Sequence, residues 1–210
     1  MASTGQKSGS EQSLLSTKAK EIWSDLVEGN KRFQAGKPRL REFIRRRKAL
    51  AGGQQPQVIV LGCSDSRVCP SLVFDKNLGD LFVIRTAGNV ADAVALGSIE
   101  YAAENLDAPV LLILGHEECG AVAAAASGEK APTSNLESIV ARIRPVLKKA
   151  RGHAEGPDLL RLAEQANVHR IAADLLRRSP LLRRKVAAGK LTLIKAIYQL
   201  RSGRVTRLPE

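Results

Sequence analysis

Aromatic residues are scarce in this sequence: four Phe, two Tyr and one Trp make up 3% of 210 residues. The net charge is +12, which would suit the phosphates of a nucleic acid. Proteins that bind single strands stack bases on aromatic side chains, however, and few are available here. The basic residues alternate with leucines at helical spacing, as in "LLRRSPLLRRK" at 175–185. This pattern indicates solvated helix faces, and we predict no nucleic-acid partner.

The sequence also lacks a long hydrophobic run. Its longest apolar stretch, "APVLLILG" at 108–115, is far shorter than the roughly 20 residues that span a bilayer. Residues 1–16 have no apolar centre of the kind found in a signal peptide. We therefore expect no membrane partner and a cytoplasmic location.

Cysteine is infrequent as well, with three residues, Cys63, Cys69 and Cys119. An odd number in a chain of this length argues against a disulfide framework and leaves metal binding or thiol chemistry as alternatives. No CxxC pair is present, so a redox dithiol is disfavoured. The cysteines thus favour a reducing compartment and direct attention to what surrounds them.

Hydrophobic periodicity predicts an α/β fold with a mostly parallel central β-sheet flanked by helices. We predict that residues 1–15 form a disordered polar tail and that residues 16–210 form one domain. An N-terminal helical arm is predicted from Ser16 to about Phe33 and from about Pro38 to Leu50. Aliphatic strands then alternate with helices, and "KLTLIKAIYQL" with "RVTRL" predicts C-terminal edge strands.

Metal-type residues follow two of the predicted strands. Cys63 comes directly after "VIVLG", His116 ends "VLLILG", and Cys119 lies three residues later, in the first turn of a helix predicted from about Glu117. The carboxyl ends of parallel strands meet at one edge, and residues three apart share a helix face. Two cysteines and one histidine leave a fourth position open, as in catalytic zinc sites. The alternative is that the cysteines are small buried hydrophobic residues.

An acidic and a basic residue follow Cys63 at alternate positions in "CSDSR". Arg67 can hold Asp65 in a bidentate pair, which keeps the carboxylate ionised and fixes its direction. Such a carboxylate can accept a hydrogen bond from a zinc-bound hydroxide, or it can occupy the fourth position itself. The alternative is an ordinary surface ion pair.

Three segments in this order, "CSDSR", "FVIRTAGN" and "GHEECGAV", resemble the β-class carbonic anhydrases. The similarity extends over nearly everything from about residue 20 onward. It implies that Cys63, His116 and Cys119 bind Zn²⁺ and that Asp65 and Arg67 are catalytic. It also implies reversible hydration of carbon dioxide to bicarbonate and a proton by zinc-bound hydroxide. The assembly implied is a homodimer or a higher even oligomer in which the first helices embrace the partner.

Several positions depart from that family's pattern. Glu117 and Glu118 stand where small or neutral residues are more usual, and Lys195 stands where Gly is common. Gln199 follows Tyr198 in place of Asp. Val60 replaces the tryptophan of a bicarbonate-sensing site found in one subgroup, so we expect that site to be missing.

Two other functions stay open on the sequence alone. One is a carbonyl sulfide or carbon disulfide hydrolase, which resembles the same family in fold and zinc ligands. The other is a non-catalytic, zinc-bearing interaction protein. The presence of both Asp65 and Arg67 argues against this second function. For a hydratase, two thiolates and a neutral imidazole bring Zn²⁺ to a formal charge of zero. We therefore expect weaker acidification of bound water than at a three-histidine site, where its pKa is about 7.

Overall fold

The structure is a computed structural model that describes residues 17–150, 152 and 156–209. The predicted tail at 1–15 and His153, predicted to face solvent in a loop, lie outside the described residues. In the described part of the chain, every helix is too short or too polar to cross a membrane.

Five strands form one sheet in the order β2-β1-β3-β4-β5. They are β1 (Val58–Cys63), β2 (Leu81–Thr86), β3 (Val110–His116), β4 (Thr192–Tyr198) and β5 (Val205–Arg207). The first four are parallel to one another, and β5 is antiparallel to β4. The α/β prediction is confirmed, with one refinement. Because β4 pairs on both sides, only β5 is a C-terminal edge strand.

Helices cover the sheet. They are α1 (Thr17–Gln34), α2 (Phe43–Ala49), α3 (Pro70–Val73), α4 (Ala93–Asn105), α5 (Gly120–Ser127), α6 (Ser134–Ala150), α7 (Gly156–Arg178) and α8 (Pro180–Ala187), with a 3-10 turn at Ala87–Asn89. Every residue of β1 and β3 is buried. Successive side chains point to opposite faces, so each strand must be aliphatic throughout.

The two faces of the sheet carry separate hydrophobic clusters. Ile59 and Leu111 pack with α4, α7 and α8 on one face. Val60 and Leu112 pack with α1 and α3 on the other, where Leu26 of α1 is fully buried. The burial of both faces accounts for the uniformly apolar strands that the sequence shows.

The predicted second helix is shorter than expected, since it begins at Phe43 and not at Pro38. Asp75, whose side chain is fully buried, explains the difference. Its carboxylate accepts hydrogen bonds from the Arg39 backbone N–H at 3.1 Å, from Arg41 at 2.7 Å and from Arg32 at 2.6 Å. Burial raises the pKa of Asp75, but these donors outweigh it and hold the pKa below its usual range. Segment 37–42 is therefore tied to Asp75 instead of forming a helical turn.

Candidate metal centre

The sequence-predicted cysteines and histidine meet where β1 and β3 end. From β1 the chain leads to β2 on one side, whereas β3 lies on the other side of β1. This is the topological switch point at which open α/β sheets bind their ligands. One donor atom each from Cys63, His116 and Cys119 lies within 4.8 Å of the others, and all three residues are buried. The predicted convergence is confirmed.

The way in which Cys119 reaches this point differs from the prediction. The helix α5 starts at Gly120, so His116 and Cys119 are not on a common helical turn. His116 ends β3, Glu118 adopts a left-handed conformation with φ 55°, and Cys119 is the extended N-cap residue of α5. A tight turn therefore folds the Cys119 side chain back toward the end of β1.

His116 is oriented for metal binding through Nε2. Its Nδ1 lies 2.8 Å from the backbone carbonyl of Glu117, which can only accept, so Nδ1 carries the proton. The Nε2 atom is buried and has no hydrogen-bond partner among the described residues. An orphaned buried nitrogen is costly unless something binds it. Metal-binding histidines commonly donate their other ring nitrogen to such a carbonyl.

The two buried thiols shift each other's pKa in opposite directions. The hydrogen bond from Cys119 is the main factor that lowers the pKa of Cys63, and the Gly88 N–H at 3.3 Å adds to it, while burial opposes it. That same hydrogen bond, followed by burial, raises the pKa of Cys119. Both cysteines are free of disulfides. A metal binds cysteine as the thiolate, so metal binding at this pair would be favoured at the lowered pKa of Cys63 and would release protons from the thiols.

Asp65 and Arg67 form the predicted bidentate pair. The Arg67 Nε donates to Asp65 Oδ1 at 3.0 Å and a terminal nitrogen donates to Oδ2 at 2.7 Å. The side-chain hydrogen bonds from Arg67 hold the pKa of Asp65 far below its usual range. Arg67 also faces the Glu118 carboxylate at 3.7 Å, and Arg201 lies 3.4 Å from that carboxylate. The charge of Glu118, one of the unusual acids, is thus compensated locally.

Arg85 and Gly88 build the wall beside Cys63. Arg85 donates to the carbonyl oxygens of Cys63 at 2.9 Å and Asp65 at 2.6 Å, which fixes the turn between the two residues. Gly88 has φ 65°, a left-handed conformation that glycine adopts without steric cost. Asn167 of α7 donates to the Gly88 carbonyl at 3.0 Å. Three elements therefore position the sulfur of Cys63.

Sequence reasoning missed Glu164. This residue lies on α7, is 6% exposed, and accepts a hydrogen bond from the Cys119 backbone N–H at 3.0 Å. Burial raises its pKa although this donor opposes the shift. An acidic residue at a core position of a helix is the one signal that could have revealed it. Cys69, by contrast, is half-buried and lies outside the cluster of three.

Comparisons with known proteins agree with this geometry. A family model described as carbonic anhydrase matches residues 58–205. The β-carbonic anhydrase CcaA matches with a TM-score of 0.69 and 28% identity, over 89% of this chain and 87% of that one. The chain belongs to the β-carbonic anhydrase family. The resemblance stated from its motifs is therefore confirmed, and the protein is an enzyme of the carbonic anhydrase class, a lyase.

This β-carbonic anhydrase is also similar to two further proteins. Carbonic anhydrase 2 of Mycobacterium tuberculosis is 40% identical over 186 residues, which cover 87% of this chain and 89% of that protein. A β-carbonic anhydrase of Sordaria macrospora, described as tetrameric, has a TM-score of 0.71 at 24% identity, over 91% of this chain and 94% of that one. The second match shows the fold alone.

Proposed function

We propose that this enzyme catalyses the zinc-dependent, reversible hydration of carbon dioxide to bicarbonate and a proton. The observation that carries the proposal is the convergence of two buried cysteines and the unpartnered Nε2 of His116 within 4.8 Å. The Asp65–Arg67 pair lies beside them. Family membership supports the same reaction.

The donor set fits zinc. Cys63, Cys119 and His116 supply two sulfurs and one nitrogen, which are ligands that Zn²⁺ favours, and leave one coordination position open. Zinc bound there would act as a Lewis acid that lowers the pKa of a coordinated water. Glu164 and Gly88 hold the two cysteines through backbone hydrogen bonds, and mutation of such partners typically weakens metal binding. The thiols must stay reduced, which fits the cytoplasmic location we infer.

Asp65 is the residue that we propose accepts a hydrogen bond from the attacking water and directs its lone pair at carbon dioxide. Its low pKa keeps it ionised, so it acts as an acceptor at neutral pH. The bidentate contact with Arg67 restricts the rotation of the carboxylate. Arg85 fixes the backbone at Asp65, so the direction of the carboxylate is set from two sides.

The active form is proposed to be a homodimer or a higher even oligomer. Strand β2 is an edge strand of the sheet in this single chain, and it exposes apolar side chains. Val83 of β2 is 37% exposed and Tyr101 of the neighbouring helix α4 is 51% exposed. The N-terminal arm adds Leu40, Phe43 and Ile44, which are 97%, 55% and 69% exposed. Exposed apolar groups of this size are typical of surfaces that associate. A second copy that covers β2 and the arm would bury them.

Zinc content and hydration activity, measured together on purified variants, test the proposal. Wild type is expected to hold about one zinc per chain and to hydrate carbon dioxide in a stopped-flow assay. Cys119→Ala should lose most of its zinc, whereas the matched control Cys69→Ala should keep it. Asp65→Asn should keep zinc and lose most activity, because its amide presents a donor as well as an acceptor.

Two results would contradict the assignment. Undiminished zinc in Cys119→Ala would remove that residue from the ligand set. Full activity in Asp65→Asn would remove the carboxylate from the mechanism. Turnover of carbonyl sulfide or carbon disulfide in place of carbon dioxide would reassign the reaction while it left the metal centre intact.

A further inference from the structure

A cavity of about 340 Å³ lies between α6, α7 and the segment that follows the Gly88 turn. Its charged lining consists of Arg142 from α6 and Asp174 with three arginines, Arg170, Arg177 and Arg178, from α7. Its remaining lining residues are Val90, Ala91 and Ile171. None of the metal-centre residues described above contributes to it.

The arginines converge because of helical spacing. Positions 170, 174 and 177 or 178 are four and then three or four residues apart, so they lie along one face of α7. Arg142 reaches the same space from the neighbouring helix. Four guanidinium groups against one carboxylate leave an excess of three positive charges around the cavity.

Arg142 and Arg170 have no acidic partner in the part of the chain that the structure describes. Asp174 pairs with Arg177 and, at 3.2 Å, with Arg178. Arg178 also donates to the Ala91 carbonyl at 2.5 Å, so it is part of the cavity wall. Within the described ranges, Arg142 and Arg170 have no hydrogen-bond or ion-pair partner on their side chains. They are therefore free to bind a ligand.

We propose that this cavity binds a small, multiply charged oxyanion of the phosphate-ester class. Guanidinium groups present planar pairs of N–H donors that match phosphate oxygens. The volume is at the lower end of the 300–1,000 Å³ typical of small-molecule pockets. A compact ligand with two or three negative charges matches both the volume and the excess charge. Val90, Ala91 and Ile171 would contact its organic part.

Calorimetric titration of the zinc-loaded enzyme with inorganic pyrophosphate, and separately with inorganic phosphate, tests the proposal. We expect one pyrophosphate per chain, bound more tightly than phosphate and more weakly as salt is added. The double variant Arg142→Ala/Arg170→Ala should bind pyrophosphate at least about tenfold more weakly, since it loses the charge-assisted hydrogen bonds of two guanidinium groups to the anion. Arg178 is left in place because its loss would disturb the wall at Ala91.

Arg184→Ala/Lys190→Ala is the matched control. It removes two exposed positive charges in and just after α8 that do not line the cavity, and should bind pyrophosphate as wild type does. Circular dichroism and hydration activity confirm that both double variants fold, because none of the four residues belongs to the metal centre.

Three results would overturn the proposal. Unchanged binding in Arg142→Ala/Arg170→Ala would place the anion elsewhere, for example at the metal centre. Equal weakening in both double variants would show a general effect of net charge. Competition by a short DNA duplex that depends on Arg142 and Arg170 would identify the surface as a nucleic-acid site instead.

Discussion

Gly88 is the residue at which a single methyl group should disturb both the fold and the metal centre. In Gly88→Ala the new Cβ would lie 2.7 Å from Ile143 Cδ1 and 2.9 Å from Ala121 Cβ. Ile143 is fully buried and the Ala121 methyl cannot rotate away, so the backbone has to move. The φ of 65° is also unfavourable for alanine.

The two costs can be estimated separately. A left-handed conformation costs a non-glycine residue about 1–2 kcal/mol, and overpacking in a tight core costs about 1–3 kcal/mol. We therefore expect Gly88→Ala to lower the free energy of unfolding by about 2–5 kcal/mol. Displacement of the Gly88 N–H from the Cys63 sulfur, now 3.3 Å away, should also weaken metal binding about tenfold or more.

Urea unfolding at a fixed protein concentration measures the first effect, and zinc loss to a competing chelator measures the second. Gly52→Ala is the control, because no heavy atom lies within 4 Å of the position that its new Cβ would occupy and its φ is not positive. It should change stability by less than about 0.5 kcal/mol. If Gly88→Ala unfolds and releases zinc as wild type does, the close packing of this turn has been overestimated.

Three further outcomes are expected. Asp75→Asn should lower the free energy of unfolding by about 3 kcal/mol at pH 7. Because the pKa of Asp75 is lowered, this difference should shrink as pH falls below about 4, and a gap that persists in acid-unfolding curves would argue against it. Leu26→Ala, at a fully buried position of α1, should cost about 2–5 kcal/mol in urea unfolding, and a loss below about 1 kcal/mol would show that α1 is not anchored. Finally, kcat/KM for hydration should rise with an apparent pKa above about 7, because two thiolates neutralise the charge of zinc. A profile already flat from about pH 6 would refute that argument, since Asp65 stays ionised throughout this range.

Local pattern was enough to predict the sheet and the two candidate ligands at the ends of its strands, Cys63 and His116. Strands that are aliphatic at every position must be buried on both faces of the sheet, and β1 and β3 contain consecutive aliphatic residues of this kind. The proximity of Cys63 and His116 could then be predicted, because each ends a strand and the ends of neighbouring parallel strands meet at one edge of the sheet. The pairing of Asp65 with Arg67 is equally local, since the two residues are separated by one position.

Tertiary structure decided what depends on residues distant in the chain. Pro38 to Glu42 have a helical pattern, but Asp75 binds the Arg39 backbone and the Arg41 side chain, so the helix does not form there. Cys119 reaches the site through a left-handed residue and not through helical spacing.

The same holds for the groups that hold the ligands in place. Glu164 accepts a hydrogen bond from the backbone N–H of Cys119, which is 45 residues away in the sequence. The N–H of Gly88 donates to the sulfur of Cys63, which is 25 residues away. Each contact satisfies a buried polar group through a partner that only folding brings near. Residue type and spacing can predict which side chains are able to bind a metal, whereas the hydrogen bonds that orient them arise from the packing of α7 and the Gly88 turn against the strand ends.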